Sequence, residues 1–443
     1  MKQKVLLTMV ESGFGHISSM ESIYDYLQAD YGDTYDVEKS FIMQDPDLPH
    51  LNRLERWIVK QVQNTNKFAW FGDFVFFIIK LLGSHHIMRF VHRQIAYKAF
   101  REGLEAIDRR NPDVIITNHY FSNMLAVEYK RRINPSVVII NYNPDCTLHT
   151  FWDRRDGIFI VNNEKALARA IKYKFDEDKL RLVNPCVRKS VEDCDLTREQ
   201  LREKHGLPQD KFTVAIADGG YMMGRGAKFA RAIIKKDLPI TLCILAGKNE
   251  ERYKEFVAIA EGKGKIKAPK NTTIKVYKFT EQAHELYGAA DLFLTKGGPN
   301  AVLDSIYMNT PVMVDFCPHL IEKWTVKIYI DMLGCGERAF SPKKAIKRIT
   351  CLMENKSDLE RYAKNIAAFT AEGNGASGVA KIIDEEAAKQ RADKAQFGIV
   401  YDCDKLDERA KESAKAVLDE TMTSDGGIVP QDSEDIGNEY KKL

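Results

Sequence analysis

A glycine-containing segment near the N-terminus places a histidine, His16, next to a predicted turn. Glu11-Ser12-Gly13-Phe14-Gly15-His16 directly follows the apolar run at residues 5–10. Glycine lets a backbone turn tightly, and the start of a following helix presents free N–H groups to an oxygen-rich ligand. Imidazole titrates near pH 6.5, so His16 is suited to proton transfer at neutral pH. We predict a ligand crevice here; a strand-to-helix turn without a ligand is the alternative.

Three more glycine-bearing turns follow apolar runs in the second half of the chain. They are Asp218-Gly219-Gly220, Gly247-Lys248-Asn249 and Lys296-Gly297-Gly298-Pro299-Asn300. The last of them opens a helical pattern that carries Asp304. The carboxyl ends of parallel strands share one edge of a sheet, and backbone N–H groups in such turns bind anions. The three turns together predict a nucleotide-phosphate site.

The elements that must position these residues alternate between short apolar runs and helical patterns. Runs rich in Val and Ile without alternation are typical of strands buried on both faces. The predicted strands are residues 5–10, 113–118, 137–142, 157–162, 212–220, 240–247, 273–279, 292–295 and 311–316. The predicted helices are residues 18–31, 87–108, 120–132, 164–174, 226–236, 281–289 and 300–308. This alternation predicts an α/β protein with parallel sheets and right-handed crossovers.

A polar segment at residues 184–210, with Pro185 and Pro208, separates two such series. We therefore predict two Rossmann-like domains. The first spans residues 1–190 and the second residues 191–375. A C-terminal helix and a polar acidic tail would follow at residues 376–443.

Composition sets the broad class of the protein. The 443 residues are 44% hydrophobic and 29% charged, which excludes a collagen, a disordered chain and a disulfide-built miniprotein. The eight Cys form no CxxC or CxxH pair. Without a secretory leader, that usage predicts a reduced, cytoplasmic protein with no structural zinc. The net charge of +3 hides a block of +6 at residues 51–110 and a tail of −6 at residues 393–443.

An aromatic stretch at residues 68–83 lies inside the basic block. Asp73 and Lys80 interrupt it, and it is shorter than the roughly 18–20 apolar residues that span a membrane. It is either a buried helix with a solvated basic face or a peripheral membrane patch, and no nucleic-acid partner is predicted. In the membrane interpretation, rings enter the interface and cations meet anionic headgroups. These residues are Trp70, Phe71, Phe74, Phe76, Phe77, Lys67, Lys80, Arg89 and Arg93.

Several segments together resemble the family-28 glycosyltransferases, which have the GT-B fold of two Rossmann-like domains facing a cleft. They are the Gly-x-Gly-His turn, the AGKN stretch at residues 246–249, the TKGG segment with its later Asp and PV, and residues 141–166. Within that family the chain is most similar to processive diacylglycerol glucosyltransferases and monogalactosyldiacylglycerol synthases. The resemblance covers residues 4–385.

The resemblance implies roles for individual residues. His16, with Gly13 and Gly15, would meet the acceptor hydroxyl as general base, and Asp145 is the competing base. His149 and Trp152 would shape the acceptor side of the cleft. The donor-binding residues implied are Gly219, Gly220, Lys248, Asn249, Phe279, Thr280, Lys296, Gly297, Gly298, Asn300, Asp304 and Glu322. Among these, Phe279 and Thr280 would meet uracil, Asp304 the ribose and Glu322 the sugar.

Two departures from the family leave the donor sugar open. Asp304 stands where the family has a Glu, and Ile321 stands where it has a Gln that contacts the sugar. The resemblance implies inverting transfer of a hexose from a UDP-sugar to diacylglycerol or a glycolipid, with no cofactor besides that co-substrate. It also implies a protein peripheral to the inner face of the cell membrane. A polyprenyl-linked or soluble acceptor, or a non-catalytic sensor of nucleotide sugar or lipid, are the alternatives.

Overall fold

The described part of the chain contains two six-stranded sheets in which every strand pairing is parallel. The structure is a computed structural model, and it describes residues 2–10, 14–56, 97–222, 224–315 and 320–397. Helices cover both faces of each sheet. The predicted α/β class with parallel sheets is confirmed.

The first half supplies strands β1–β6. Its elements are β1 (Gln3–Thr8), α1 (Phe14–Tyr31), β2 (Tyr35–Ser40), α2 (Tyr97–Arg110), β3 (Val114–Thr117), α3 (Tyr120–Arg132), β4 (Val138–Tyr142), β5 (Ile158–Val161), α4 (Glu164–Lys172) and β6 (Leu180–Leu182). The strand order in the sheet is β2-β1-β3-β4-β5-β6.

The second half supplies strands β7–β12. Its elements are α5 (Lys189–Glu192), α6 (Arg198–Lys204), β7 (Phe212–Ile216), α7 (Gly226–Lys236), β8 (Ile240–Gly247), α8 (Glu250–Ala260), β9 (Thr273–Lys278), α9 (Ala283–Gly288), β10 (Leu292–Thr295), α10 (Pro299–Tyr307), β11 (Val312–Val314), α11 (Leu320–Thr325), β12 (Gly336–Arg338), α12 (Pro342–Glu354), α13 (Ser357–Thr370) and α14 (Gly375–Phe397). A π-helical segment, Val326–Met332, follows α11. The strand order is β12-β11-β10-β7-β8-β9.

The central strands are apolar throughout because their alternate side chains enter two different cores. In β3, Ile115 belongs to one cluster of buried residues, whereas Val114 and Ile116 belong to the cluster on the other face. In β7, Ala215 and Ile216 divide in the same way. A strand with water on one face would need alternating polar residues, so these runs are the mark of a doubly covered sheet.

All nine predicted strands exist, and three further strands in the described part of the chain were missed. β2, β6 and β12 each lie at the edge of a sheet. Edge strands have exposed positions, so the continuous apolar run that identifies a central strand is absent from them. The strand predicted to reach residue 220 ends at Ile216, because Gly219 turns the chain with φ +69. Of the helix predicted at residues 87–108, only the part from Tyr97 falls within the described residues.

The last described helix returns to the first half. Ala376, Val379, Ala380, Ile383 and Ala387 of α14 are buried in the same cluster as Val5 and Leu7 of β1. The chain therefore crosses between the halves twice, in the connection at residues 183–193 and again just before α14. The two crossings touch, since Asn374 Nδ2 donates to Val187 O at 2.9 Å and Val187 N donates to Asn374 Oδ1 at 3.1 Å.

Candidate functional site

The carboxyl end of β1 leads into α1 as predicted, but its turn is only partly described. Gly13 lies outside the described residues, and α1 begins at Phe14. Gly15 and His16 are thus the second and third residues of that helix. The role of His16 as general base stays a prediction.

The other predicted residues of the acceptor side, Asp145, His149 and Trp152, lie in one loop, which joins β4 to β5 (residues 143–157). Asp145 is half-buried, and its carbonyl accepts a hydrogen bond from Asn143 Nδ2 at 2.8 Å. The half-buried His149 ring stacks on Phe151, with ring centroids 5.9 Å apart. Trp152 is buried and packs edge-on against Phe159 of β5. The structure thus places Asp145 and His149 at the accessible side of this loop and Trp152 in the core beneath it.

This loop also touches the second half. Cys146 Sγ lies 3.7 Å from Thr325 Oγ1 at the end of α11, the helix that carries Glu322. Arg169 of α4 and Lys165 lie over the ring of Trp324, 5.2 and 5.7 Å from its centroid. The acceptor loop and α11 therefore face each other across the boundary between the halves.

The turns after β7 and β8 interlock at the carboxyl edge of the second sheet, which we call the donor rim. Lys248 N donates to Gly220 O at 2.7 Å, and Asn249 Nδ2 donates to Tyr221 O at 3.2 Å. Gly247 must be a glycine, because a Cβ there would lie 2.3 Å from Gly220 O at a positive φ of +62. Asn249 also caps α8 through Arg252 N at 3.1 Å. The structure thus brings Gly219, Gly220, Lys248 and Asn249 together.

An exposed aromatic ring extends this rim. Phe279 follows β9, and its side chain is 44% exposed. Lys248 Nζ lies 4.7 Å from its ring centroid. Thr280 Oγ1 accepts a hydrogen bond from Gln282 N at 3.1 Å and shapes the turn into α9. An open ring beside a cation fits the predicted stacking on a base.

The turn after β10 leads directly into α10. Gly297 has a φ of +82, and Gly298 is the N-cap of α10, with Pro299 and Asn300 as its first helical residues. A Cβ on Gly298 would meet nothing within 4 Å, so there is open space at the start of this helix. Lys296 Nζ pairs with the buried Glu322 Oε1 at 2.9 Å. A helix N-terminus beside a lysine favours an anion such as a diphosphate.

Asp304 lies deeper in α10 and is paired with a residue that sequence reasoning missed. Arg188 Nη2, in the connection between the halves, donates to Asp304 Oδ2 at 2.5 Å. Burial raises the pKa of Asp304, and the Arg188 guanidinium opposes that rise. The two residues are 116 positions apart in sequence, so no local pattern links them.

Two buried carboxylates on the donor rim had no predicted role. Asp218 and Asp315 follow β7 and β11, the two neighbours of the central strand β10. Asp218 Oδ2 accepts a hydrogen bond from Gly226 N at 2.5 Å, whereas neither carboxylate oxygen of Asp315 has a hydrogen-bond partner within the described residues. Burial, followed by the charge of Asp218, raises the pKa of Asp315 to about 8. An acid directly after a buried strand was the available signal.

The predicted membrane residues lie outside the described residues. These are Trp70, Phe71, Phe74, Phe77, Lys80, Arg89 and Arg93. No helix in the described ranges is both long enough and apolar enough to span a bilayer. Nor do the described ranges contain a group of three or more His, Cys, Asp or Glu placed to hold a metal ion.

Comparisons with known proteins place the chain among glycosyltransferases. It is 26% identical over 402 residues to Arabidopsis thaliana monogalactosyldiacylglycerol synthase 2, covering 86% of this chain and 81% of that protein. It is 25% identical over 374 residues to synthase 3 of the same plant, covering 82% and 77%. No family model matches the chain.

Solved structures show the same fold at low identity. MurG from Acinetobacter baumannii has a TM-score of 0.55 at 13% identity, covering 87% of this chain and 100% of that chain. A UDP-glucosyltransferase from Polygonum tinctorium has a TM-score of 0.53 at 10% identity, covering 88% and 99%. The predicted family resemblance and the GT-B fold are confirmed, as is the glycosyltransferase class.

Proposed function

We propose, from the homology of this chain to monogalactosyldiacylglycerol synthases, that it transfers a hexose from a UDP-sugar to diacylglycerol or a glycolipid with inversion. The observation that carries the proposal is the donor rim. An exposed ring, a lysine and an open helix N-terminus follow one another along a single sheet edge. Phe279, Lys296 and Gly298 match the base, the diphosphate charge and the phosphate oxygens of a nucleotide sugar in that order.

The chemistry proposed divides between the two halves. Inverting transfer needs a base within hydrogen-bond reach of the acceptor hydroxyl, and we assign that role to His16, with Asp145 as the alternative. The departing UDP needs its growing negative charge stabilised, which Lys296 and the N-terminus of α10 can do. Because these groups supply positive charge, we propose that the UDP-sugar is the only co-substrate and that activity survives treatment with EDTA.

The acceptor side of the proposal concerns the membrane. A diacylglycerol stays in the bilayer, so the acceptor loop must approach the membrane surface. We propose that the aromatic and basic residues at positions 67–93 dock the protein on the inner face of the cell membrane. Replacing Phe74 and Phe77 by Ser should lower co-sedimentation with anionic vesicles, whereas equal sedimentation of a folded variant would remove this patch from the proposal.

The test is a screen of UDP-glucose, UDP-galactose and UDP-N-acetylglucosamine against liposomes that contain diacylglycerol, read by mass spectrometry. The proposal expects a hexosylated lipid and free UDP. His16→Ala is the matched variant, and it should lose transfer by at least about 100-fold while it keeps its affinity for UDP.

Three other outcomes are distinct. Normal transfer by His16→Ala would leave Asp145 as the base. Transfer only to a polyprenyl-linked or soluble acceptor would retain the enzyme class and change the acceptor. UDP binding with wholly unchanged substrates would favour the non-catalytic alternative.

A further inference from the structure

The connection between the halves contains a side chain that reaches into the donor half. Arg188 Nη2 donates to Asp304 Oδ2 at 2.5 Å, and Arg188 Nη1 donates to Glu281 O at 3.2 Å. Its guanidinium therefore joins α10 to the turn before α9. Arg188 was part of no predicted site.

The backbone next to Arg188 is held from the first half. Ser22 Oγ of α1 donates to Val187 O at 2.6 Å, and Asn374 binds both the N–H and the carbonyl of Val187. Tyr26 of α1 donates to Glu192 at the end of the connection. Arg188 therefore extends from a fixed backbone, and its reach to Asp304 is set by α1, the same helix that contains His16.

Asp304 needs such a partner because of where it lies. It is 6% exposed, and burial disfavours its charged form. The charged or titratable groups around the pair are Arg188 itself, Tyr287 on the neighbouring α9, and His284 on α9, which faces Arg188. Burial lowers the pKa of His284 to about 4, so it is neutral at physiological pH and does not compete for the carboxylate.

We propose that Arg188 is a positioning residue that keeps Asp304 ionised and oriented for the ribose hydroxyls of the donor, and that fixes this carboxylate to the connection between the halves. The inference rests on the proposed function, since Asp304 binds ribose only if the donor is a nucleotide sugar. Arg188 uses its second nitrogen on Glu281 O, so the guanidinium is held on two sides, and the hydrogen bond to Asp304 is made through Oδ2.

The experiment compares UDP with 2′-deoxy-UDP by titration calorimetry on the full chain. Wild-type protein should bind UDP more tightly than 2′-deoxy-UDP. Arg188→Ala should weaken UDP binding by about 10- to 100-fold and bring the two ligands to nearly equal affinity, because the ribose contact is lost. Arg188→Lys should restore part of the preference. Lys189→Ala is the matched control on the same connection, and it should leave the preference unchanged.

A pH series supplies a second readout that a merely structural role would not move. Binding through an ionised Asp304 is lost as the pH falls through the pKa of that carboxyl. Without the guanidinium that pKa rises further, so the acid limb of UDP binding should move to higher pH in Arg188→Ala. If Arg188→Ala does not fold, Arg188→Gln removes the charge while it keeps a polar side chain beside Asp304. It should show the same loss of preference for UDP and the same move of the acid limb.

The outcomes separate this inference from the proposed function. A wild-type protein that does not bind UDP overturns both. A wild-type protein that prefers UDP over 2′-deoxy-UDP, together with a variant that keeps the full preference and the same pH profile, overturns the role of Arg188 alone.

Discussion

The carboxyl edges of the two sheets have the same strand architecture and different buried polar groups. The first, which we call the neutral edge, contains a network of neutral side chains, in which Asn141 Oδ1 accepts from Thr117 Oγ1 at 3.0 Å and from Asn123 Nδ2 at 2.9 Å. At the second edge Asp218, Asp315 and Glu322 are buried carboxylates. The difference teaches that the neutral edge satisfies its polar groups within the protein, whereas the second, the charged edge, places acidic side chains and Lys296 beside the proposed donor site.

The largest effect should come from the lysine of the charged edge. Lys296→Met removes positive charge beside the proposed diphosphate and breaks the ion pair with the buried Glu322, so transfer should fall by about 100-fold or more. Lys278 is the matched control, since it pairs with Glu250 at 2.8 Å on an exposed surface. Lys278→Met should transfer at the wild-type rate, and equal losses in the two variants would contradict the assignment. The measurement is the initial rate of lipid hexosylation.

A change at the neutral edge should affect stability without affecting the donor. Asn141→Ala removes hydrogen bonds from Thr117 and Asn123 and one to Ile158 O, so the free energy of unfolding should fall by about 2–3 kcal/mol. Its affinity for UDP should stay at the wild-type value. Urea unfolding measures the free energy of unfolding, and titration calorimetry measures the affinity for UDP. A weaker affinity for UDP would mean that the two edges are not independent.

The last prediction is a pH dependence of stability at the charged edge. The folded state keeps the proton of Asp315 up to about pH 8, whereas an unfolded chain releases it near pH 4. The folded state thus binds more protons across that interval, and the stability contributed by this group falls as the pH rises. Asp315→Asn should flatten the fall in melting temperature between pH 5 and pH 8. Parallel curves for both proteins would contradict it.

The sequence was enough to predict the buried strands and the glycine turns. It was not enough to predict contacts between residues that are far apart in the chain. Central strands such as β3 and β8 are largely continuous apolar runs, so the pattern alone is enough to predict them. The edge strand β2 (Tyr35–Ser40) has exposed polar positions, so its sequence contains no such run. The glycine turns of the donor rim could be found because each follows a strand. Arg188 could not, because its partner Asp304 comes from another segment and only the tertiary structure brings them together.

The charge asymmetry along the chain remains a prediction about partners. The +6 block is described only in part, and the acidic tail follows the last described residue, Phe397. Charged residues of α14 before that point contact β2. Arg391 Nη1 donates to Tyr35 Oη, and Tyr35 Oη donates to Asp384 Oδ1 at 2.5 Å. α14 is therefore fastened to β2 by polar contacts as well as by its apolar face.

Because α14 returns to the first sheet, the first half is a discontinuous domain built from two separate stretches of the chain. A fragment that stops at the connection would lack α14. The apolar surface of β1 and α1 that Val379 and Ile383 cover would then be exposed to water. Separate production of the two halves therefore requires residues 375–397 to be spliced onto the first. For the same reason, a single cut in the connection divides the chain into two polypeptides, and the packing of α14 against β1 and α1 is then a noncovalent contact that holds the halves together.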